Sequence, residues 1–574
     1  MINLTIDGQQ VSVDNGASIL DAAKVANVTI PTLCNHPDQT VKAVCRICVV
    51  EVDGRPGLQA SCSTPAEEGM VVHTASPKVI RARKDIMELI MARHPMDCLG
   101  CQSNGSCELQ AVAGGMNMTK PSKYDMDIRK AKVDKSSPSI VRDMRKCILC
   151  GRCIETCSEV QGITVMAKEN RGYDTMIVPP YGKSLVDTPC VNCGQCVQVC
   201  PTGAITIHDD TMEVYNAMEE GKVMVATIAP SVRINVAEAL GEDPGTVSTG
   251  RLVTALKKIG FDRVFDTDFT ADLTIMEEGN ELLYRLKNGG TLPMITSCCP
   301  AWIKFAETFF DDHLDHLSTC KSPQQMFGPL IKTYFAEKAK INPADICSVS
   351  IMPCTAKKFE AKREEMNASG YRDYDVVLTV QEIARMIKTA GIDFANLEDT
   401  EFDNPFGLGS GAGLIFGATG GVMEAALRTV YEVVTGKDMA PLEFEPARGF
   451  EGIKEAQVDL DGTIVKVAIA HGLGNAWKII NMIKEGKADY HFIEVMACPG
   501  GCIGGGGNAP RTWEKVEERR KAIYEEEKRL PVRKSHENPW VKQCYEEFLG
   551  EPLGEMSHKL LHTHYISRHD LLGS

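Results

Sequence analysis

Cys190-Val191-Asn192-Cys193-Gly194-Gln195-Cys196-Val197-Gln198-Val199-Cys200-Pro201 sets four cysteines at C-x2-C-x2-C-x3-C with a closing proline. Cys147 to Cys157 repeats the spacing without the proline, through Cys150 and Cys153. Thiolates at these intervals are the ligand run of paired 4Fe–4S clusters, in which the fourth cysteine of each run serves the other cluster. One cluster is therefore expected on Cys147, Cys150, Cys153 and Cys200, and the other on Cys190, Cys193, Cys196 and Cys157. Eight cysteines so placed leave little room for zinc or chance.

Upstream of these runs, residues 2–14 alternate apolar and polar around Asp7-Gly8, a two-residue hairpin signal. Ser18 to Asn27 then reads as an amphipathic helix with Ser18 as N-cap and Asp21 closing a capping box. Hairpin, helix and a cysteine loop with Cys34, Cys45, Cys48 and Cys62 form the layout of a plant-type ferredoxin domain, although the first gap exceeds C-x4-C. The set resembles the variant 2Fe–2S domain of complex I and of iron-only hydrogenases, which implies a β-grasp fold over residues 1–78. On spacing alone the lone C-x2-C also admits zinc. A helical stretch from Pro77 to Ala92 leads into His94, Cys98, Cys101 and Cys107. Three cysteines with one histidine are a zinc set too. The segment 79–127 is nevertheless similar to the 4Fe–4S segment of the same two families, whose ligands are one histidine and three cysteines. The paired runs themselves are expected to form a bacterial-type ferredoxin domain over 138–209.

Composition narrows the class. At 574 residues the chain has room for roughly three to five domains. A formal charge of −15 argues against a nucleic-acid partner, which needs clustered Lys and Arg. The longest apolar runs, such as Val223 to Pro230, are strand-sized and far short of the roughly 20 residues that span a bilayer. The N-terminus Met1 to Gly8 carries no basic and apolar leader, so a cytoplasmic setting is expected. Disulfide scaffolds are usually short and secreted, so metal-bound thiolates are the better reading of the 23 cysteines.

From about residue 210 strand-like segments alternate with helical ones: Val223–Ala229, Arg263–Asp266, Leu292–Thr296, Ser348–Met352, Asp375–Thr379, Val465–Ala470 and His491–Met496. This is an α/β pattern with buried sheets, expected over 210–574. Three of the strands end on Thr296-Ser297-Cys298-Cys299-Pro300, Met352-Pro353-Cys354-Thr355 and Met496-Ala497-Cys498-Pro499-Gly500-Gly501-Cys502. Ligands in open α/β sheets collect beyond the carboxyl ends of strands, so the three motifs are expected to share one crevice. Cys299, Cys354, Cys498 and Cys502 read more naturally as a fifth cluster's ligands than as a compact zinc knuckle. A Cys298–Cys299 disulfide between neighbours carries strain. Trp513 to Leu530 reads as a charge-rich helix with a solvated face, and Cys320, Cys347 and Cys544 as packing residues.

These motifs, with Ala229-Pro230-Ser231-Val232-Arg233, Phe416 to Ala426 and Arg533 to Asn538, resemble iron-only ([FeFe]) hydrogenases across essentially the whole chain. The resemblance implies one 2Fe–2S cluster, three accessory 4Fe–4S clusters and an H-cluster, a 4Fe–4S cluster joined through Cys502 to a di-iron unit with CO, cyanide and an amine-bearing dithiolate. It implies that Pro230, Ser231 and Lys357 hydrogen-bond the cyanides, that Met352, Met496 and Phe416 wall the pocket, and that Gln324 lies nearby. Protons would pass through Cys298, Glu278, Ser318, Glu281 and Arg285. Glu278, Glu281 and Arg285 fall at i, i+3 and i+7 of one helix and so share a face; from spacing alone, Glu281–Arg285 is equally a surface ion pair. Two departures stand out: Asn508 where the family usually has Gln nearby, and Gly279 in the relay helix, costing about 1 kcal/mol of helix propensity. Neither Gly500–Gly507 nor Gly409–Gly421 has the form of a nucleotide loop. The implied activity is reversible interconversion of H2 with protons and electrons, relayed to ferredoxin or to NAD(P)-linked partners. Those partners would be a flavin- and NAD(P)-binding subunit and a thioredoxin-like 2Fe–2S subunit, with electron bifurcation as a further expectation. The alternatives are a non-catalytic iron–sulfur assembly relative and a purely electron-transferring subunit.

Overall fold

The computed structural model describes residues 1–118, 123, 124 and 126–573, so part of the expected 79–127 segment lies outside the described residues. The chain divides into two compact units, Met1–Thr188 with Val199–Thr206, and Pro189–Gln198 with Ile207–Ser574.

In the first unit the hairpin forms as the sequence predicts. Strands Ile2–Ile6 and Gln9–Val13 pair antiparallel with Ile6 opposite Gln9, and Asp7 and Gly8 both take positive φ, +48° and +86°. That is the turn whose twist matches paired strands. The sheet runs Gln9–Val13, Ile2–Ile6, Val71–His73, Val49–Val52, Leu58–Ala60. Helix Ile19–Val25 packs on it, with the Ser18–Asp21 capping box in place. Helix Pro77–Met91 follows, capped by the Ser76 hydroxyl.

The second unit holds two four-stranded sheets. One is parallel, in the order Arg263–Asp266, Val223–Ile228, Ile346–Met352, Val376–Thr379. All seven residues of Ile346–Met352 are buried, as a central parallel strand covered on both faces requires. The other runs Met294–Ile295, Phe492–Met496, Thr463–His471, Ile453–Leu460, with only the last pair antiparallel. Strand Ile453–Leu460 is absent from the expected set because half its residues face outward and read as polar. The predicted Leu292–Thr296 shortens to Met294–Ile295, its start taken up by Pro293, which cannot donate to a ladder. The charge-rich helix late in the chain, Trp513–Arg529, is more than a solvated face. Val516, Arg519, Ile523 and Glu527 are fully buried, and Arg519 donates to the Ile503 carbonyl at 2.7 Å and to Glu238 at 2.8 Å.

Candidate active site

The parallel strands Val223–Ile228, Met294–Ile295, Ile346–Met352 and Phe492–Met496 end on the loops that wall one cavity of about 80 Å³. Its lining includes Cys298, Cys299, Cys354, Cys498 and Cys502, and also Pro230, Ser231, Gln324, Met352, Lys357, Phe416 and Met496. Every residue expected to hold or wall a cofactor here is thus brought to one place, at the carboxyl ends of strands from two sheets.

Local contacts hold the loops in shape. Arg233, fully buried between Asp266 at 2.6 Å and Asp268 at 3.0 Å, donates through Nε to the Pro230 carbonyl at 3.1 Å. Trp302 Nε1 donates to the Thr296 carbonyl, and Ser297 Oγ to the Cys320 carbonyl. The Ala497 N–H points at Cys299 Sγ, 3.4 Å away. Gly505 has no room for a side chain: a Cβ there would lie 2.3 Å from the Pro353 carbonyl oxygen. The glycine-rich stretch is therefore a close backbone packing against the Cys354 loop. Asn508, the departure noted above, is buried and donates to the carbonyls of Cys502 and Ile503 at 3.0 and 3.1 Å.

The donors available to a bound group follow from hydrogen-bond accounting. Ser231 Oγ and Gln324 Oε1 are buried and have no partner among the described residues, the condition of groups awaiting one. Lys357 Nζ lies 2.8 Å from Glu360 Oε2 and 3.2 Å from the Cys298 carbonyl. Burial works against its ammonium, but the Glu360 carboxylate more than offsets it and holds the pKa above the ordinary lysine value. Pro230 carries no N–H, so its share is wall, and the donor at that corner is Ser231. Four thiols around an apolar cavity, with an ammonium and an orphaned hydroxyl at its edge, fit a 4Fe–4S cluster carrying an anionic polar appendage.

The proposed relay residues lie on and beside helix Asp268–Asn288, which carries Glu278, Glu281 and Arg285 on a buried face. Arg285 pairs with Glu281 at 2.6 Å with both side chains about one-tenth exposed, so this is not a surface ion pair. Its remaining N–H groups reach the carbonyls of Thr291, Asp315 and Leu317. Ser318 Oγ donates to Glu281 Oε2 at 3.0 Å, and the Thr319 N–H and hydroxyl donate to the same oxygen. Glu278 is 1% exposed and neither carboxylate oxygen accepts a well-formed hydrogen bond among the described residues, although the Ser318 hydroxyl and the Ser297 backbone lie near enough to favour its charged form. Burial first, then the charge of Glu281, push its pKa up to about 8. Gly279, between them, faces helix Gly421–Thr435: a Cβ there would meet Val430 Cγ2 at 3.3 Å.

Within the same unit the Cys190–Cys196 run packs onto the cavity loops. Thr355 Oγ1 donates to the Asn192 carbonyl at 2.7 Å, and Gln195 Nε2 to the Gly504 carbonyl at 3.1 Å. Cys157 belongs to the first unit. In that unit Cys147, Cys150, Cys153 and Cys200 line one small cavity of about 20 Å³. Cys48 and Cys62 bring their sulfurs to 3.5 Å in the first domain, where the free thiols of Cys34 and Cys45 also lie side by side. His94 Nδ1 is buried without a partner among the described residues, in the segment that holds Cys98, Cys101 and Cys107.

Sequence reasoning missed Glu360, Arg233 and Thr319. The i, i+3 spacing of Lys357 and Glu360 on helix Ala356–Ala361 was the one available signal.

Comparison with known proteins agrees with this architecture. Residues 222–506 match the family described as iron only hydrogenase large subunit, C-terminal domain, and 514–568 match iron hydrogenase small subunit. Residues 1–77 match a 2Fe-2S iron-sulfur cluster binding domain, 83–122 an NADH-ubiquinone oxidoreductase-G iron-sulfur binding region, and 146–211 a 4Fe-4S dicluster domain. The NADP-reducing hydrogenase subunit HndD of Solidesulfovibrio fructosivorans is 48% identical over the full length of both chains. Iron hydrogenase 1 of Clostridium pasteurianum is 39% identical over 98% of this chain and 100% of its own. Among solved structures, the apo [FeFe]-hydrogenase HydA1 of Chlamydomonas reinhardtii aligns with a TM-score of 0.56 and 43% identity over 62% of this chain and 98% of its own. With end-to-end identity of this order and matching domains in the same order, the chain belongs to the iron-only hydrogenases.

Proposed function

We propose that this chain interconverts H2 with two protons and two electrons. The observation that carries the reading is the single cavity that gathers four cysteines, a spare fifth cysteine, a lysine and an orphaned serine hydroxyl. Cys299, Cys354, Cys498 and Cys502 would hold a 4Fe–4S cluster, and Cys502 would also help to hold a di-iron unit. When bound, that group supplies heterolytic cleavage of the H–H bond. Lys357 and Ser231 would donate to its anionic ligands, while Met352, Met496 and Phe416 would keep water from them.

Cys298, beside a ligand but spare, carries the proton between the reacting group and Glu278. With a pKa near 8, Glu278 exists in both protonation states close to neutral pH, as a relay group needs. Ser318 hands the proton on to Glu281, and Arg285 fixes that carboxylate at the outer end. Electrons would travel through one 2Fe–2S and three 4Fe–4S clusters on the cysteines of the N-terminal half and His94. The last of them, served by Cys190, Cys193 and Cys196, would hand over to the Cys354 and Cys502 loops. Domains over 1–78, 79–127, 138–209 and 210–574 fit this division of labour.

The full-length likeness to an NADP-reducing hydrogenase subunit favours a complex with a flavin- and NAD(P)-binding subunit and a thioredoxin-like 2Fe–2S subunit in the cytoplasm. Among the described residues no helix is long and apolar enough to cross a membrane. The test is H2-driven reduction by the matured chain alone, anaerobic, with a viologen dye as control and ferredoxin and NAD(P)+ as acceptors. Fast dye reduction with slow NAD(P)+ reduction supports both the site and the missing partners. No dye reduction by fully matured protein overturns the function.

A further inference from the structure

We propose that Glu281, Cys320 and His562 form a second metal site, one that takes a borderline divalent cation such as Zn2+ and, when filled, closes the proton route at Glu281. The three side chains come from separate parts of the catalytic unit. Glu281 projects from helix Asp268–Asn288, while Cys320 and His562 are partners in an antiparallel backbone bridge. That bridge is framed by hydrogen bonds from Lys321 N to the Leu561 carbonyl and from Thr563 N to the Thr319 carbonyl, both 2.8 Å. All three residues are buried, and one ligand atom from each lies within 4.8 Å of the other two. Bonds of about 2.0–2.3 Å to a tetrahedral ion place ligand atoms roughly 3.5 Å apart, so the trio closes by at most about 1.3 Å.

The surroundings of His562 point the same way. Its Nε2 lies 3.1 Å from Glu277 Oε2, a fully buried carboxylate also held by the Tyr545 hydroxyl and the Leu553 N–H. An imidazole anchored through one nitrogen to a carboxylate is the arrangement that orients histidine toward a metal with the other. That other nitrogen, Nδ1, meets the Thr319 hydroxyl at 2.8 Å, and the same hydroxyl lies 3.2 Å from Glu281 Oε2. Thr319 is therefore the group a cation would displace or take as its next oxygen.

Ligand chemistry selects the ion. A thiolate, an imidazole and a carboxylate suit Zn2+ and exclude the oxygen-seeking Ca2+ and Mg2+. Two carboxylates, Glu277 and Glu281, against the one guanidinium of Arg285 leave the pocket favourable to a cation. The approach is through half-buried Thr319 and exposed His558, whose ring stacks on His562 with centroids 4.7 Å apart and planes 9° from parallel. Binding replaces the Cys320 S–H bond by a sulfur–metal bond and releases that proton to solvent. No electron moves. A carboxylate bound to the ion no longer passes protons; this consequence rests on the relay proposed above, whereas the site itself does not.

The test uses the matured enzyme, anaerobic, with one equivalent of Zn2+, read by zinc K-edge absorption and by H2 turnover. The expected spectrum has one sulfur near 2.3 Å and nitrogen and oxygen near 2.0 Å. Cys320→Ala loses the sulfur shell, His562→Gln weakens binding at least tenfold, and both variants escape inhibition with iron content unchanged. Two or more sulfurs around zinc, with iron released, mean displacement of a cluster and overturn the site. So does a spectrum that Cys320→Ala leaves unaltered. A single-sulfur spectrum with undiminished turnover upholds the site and overturns the place of Glu281 in the proton route.

Discussion

Replacing Glu278 by glutamine removes a proton carrier while keeping its shape, and the structure gives opposite signs for the effects on turnover and on stability. The carboxyl is buried, without a well-formed hydrogen bond among the described residues, and pushed from the ordinary 4.5 up to about 8, chiefly by burial and then by Glu281. Between those two values the folded protein keeps a proton that the unfolded chain has released. Wild-type stability therefore falls as pH rises from about 4.5, by about 1.4 kcal/mol per pH unit, and levels off above about 8. Glutamine does not titrate, so from pH 6 to pH 8, where the folded carboxyl is already half ionised, the variant gains roughly 2.3 kcal/mol on the wild type. An unfolding entropy of about 2.1 cal/mol/K per residue over a catalytic unit of roughly 370 residues turns this into a relative rise of about 3 °C in melting temperature. Anaerobic calorimetry at the two pH values reads that rise, and H2 evolution on the same samples should fall roughly 10²–10⁴-fold. A melting difference that stays constant between pH 6 and pH 8, or turnover at the wild-type rate, would refute the placing of a titrating carboxyl in the route.

Other perturbations separate ligation, orientation and scaffold. Cys298→Ala should lower H2 turnover by roughly 10²-fold or more with iron content intact, whereas Cys354→Ala should lose iron; iron analysis beside activity distinguishes a spare thiol from a ligand. Lys357→Met removes a donor and strands Glu360, so turnover should drop by roughly 10²–10³-fold and the cyanide stretching bands should shift in the infrared; unmoved bands would place the lysine elsewhere. Arg428 is fully buried between Glu424 at 2.7 Å and Glu527 at 2.9 Å, and Arg428→Met should cost about 3–5 kcal/mol by leaving buried charge short of a partner. Denaturant unfolding measures that loss, and turnover per folded molecule should not change.

What the sequence makes legible follows from how local each signal is. The paired ferredoxin runs, the Asp7-Gly8 hairpin and the Ser18–Asp21 capping box are short-range patterns, and each reads directly. The central strands read as well, because parallel strands buried on both faces are continuous apolar runs, as in Val223–Ile228. Strand Ile453–Leu460 escapes that reading because it is an edge with one wet face, although Asp461-Gly462 marks its hairpin. Glu360 under Lys357, Arg233 under Pro230 and the Cys320–His562 bridge escape it for another reason. Each depends on how residues meet in space, the last across hundreds of positions, which no window of sequence carries. The buried face of helix Trp513–Arg529 was hidden likewise, since Arg519 and Glu527 look solvated until their partners are in place.

The short strand Met294–Ile295, which leads into Cys298 and Cys299, has a single neighbour in its sheet, Phe492–Met496. On a ribosome that neighbour arrives roughly 200 residues later, at about 5–20 residues per second, and brings Cys498 and Cys502 with it. For about 7–30 s of synthesis, then, Cys299 and Cys354 wait while Met294–Ile295 has only the bridge from Ile295 to Leu317 beside it and the far side of the site is missing. Vectorial growth of the chain thus dictates an order of assembly in which the N-terminal cysteine sets are complete while the innermost site is still open on one side. Insertion of its contents has to follow the birth of the last strand.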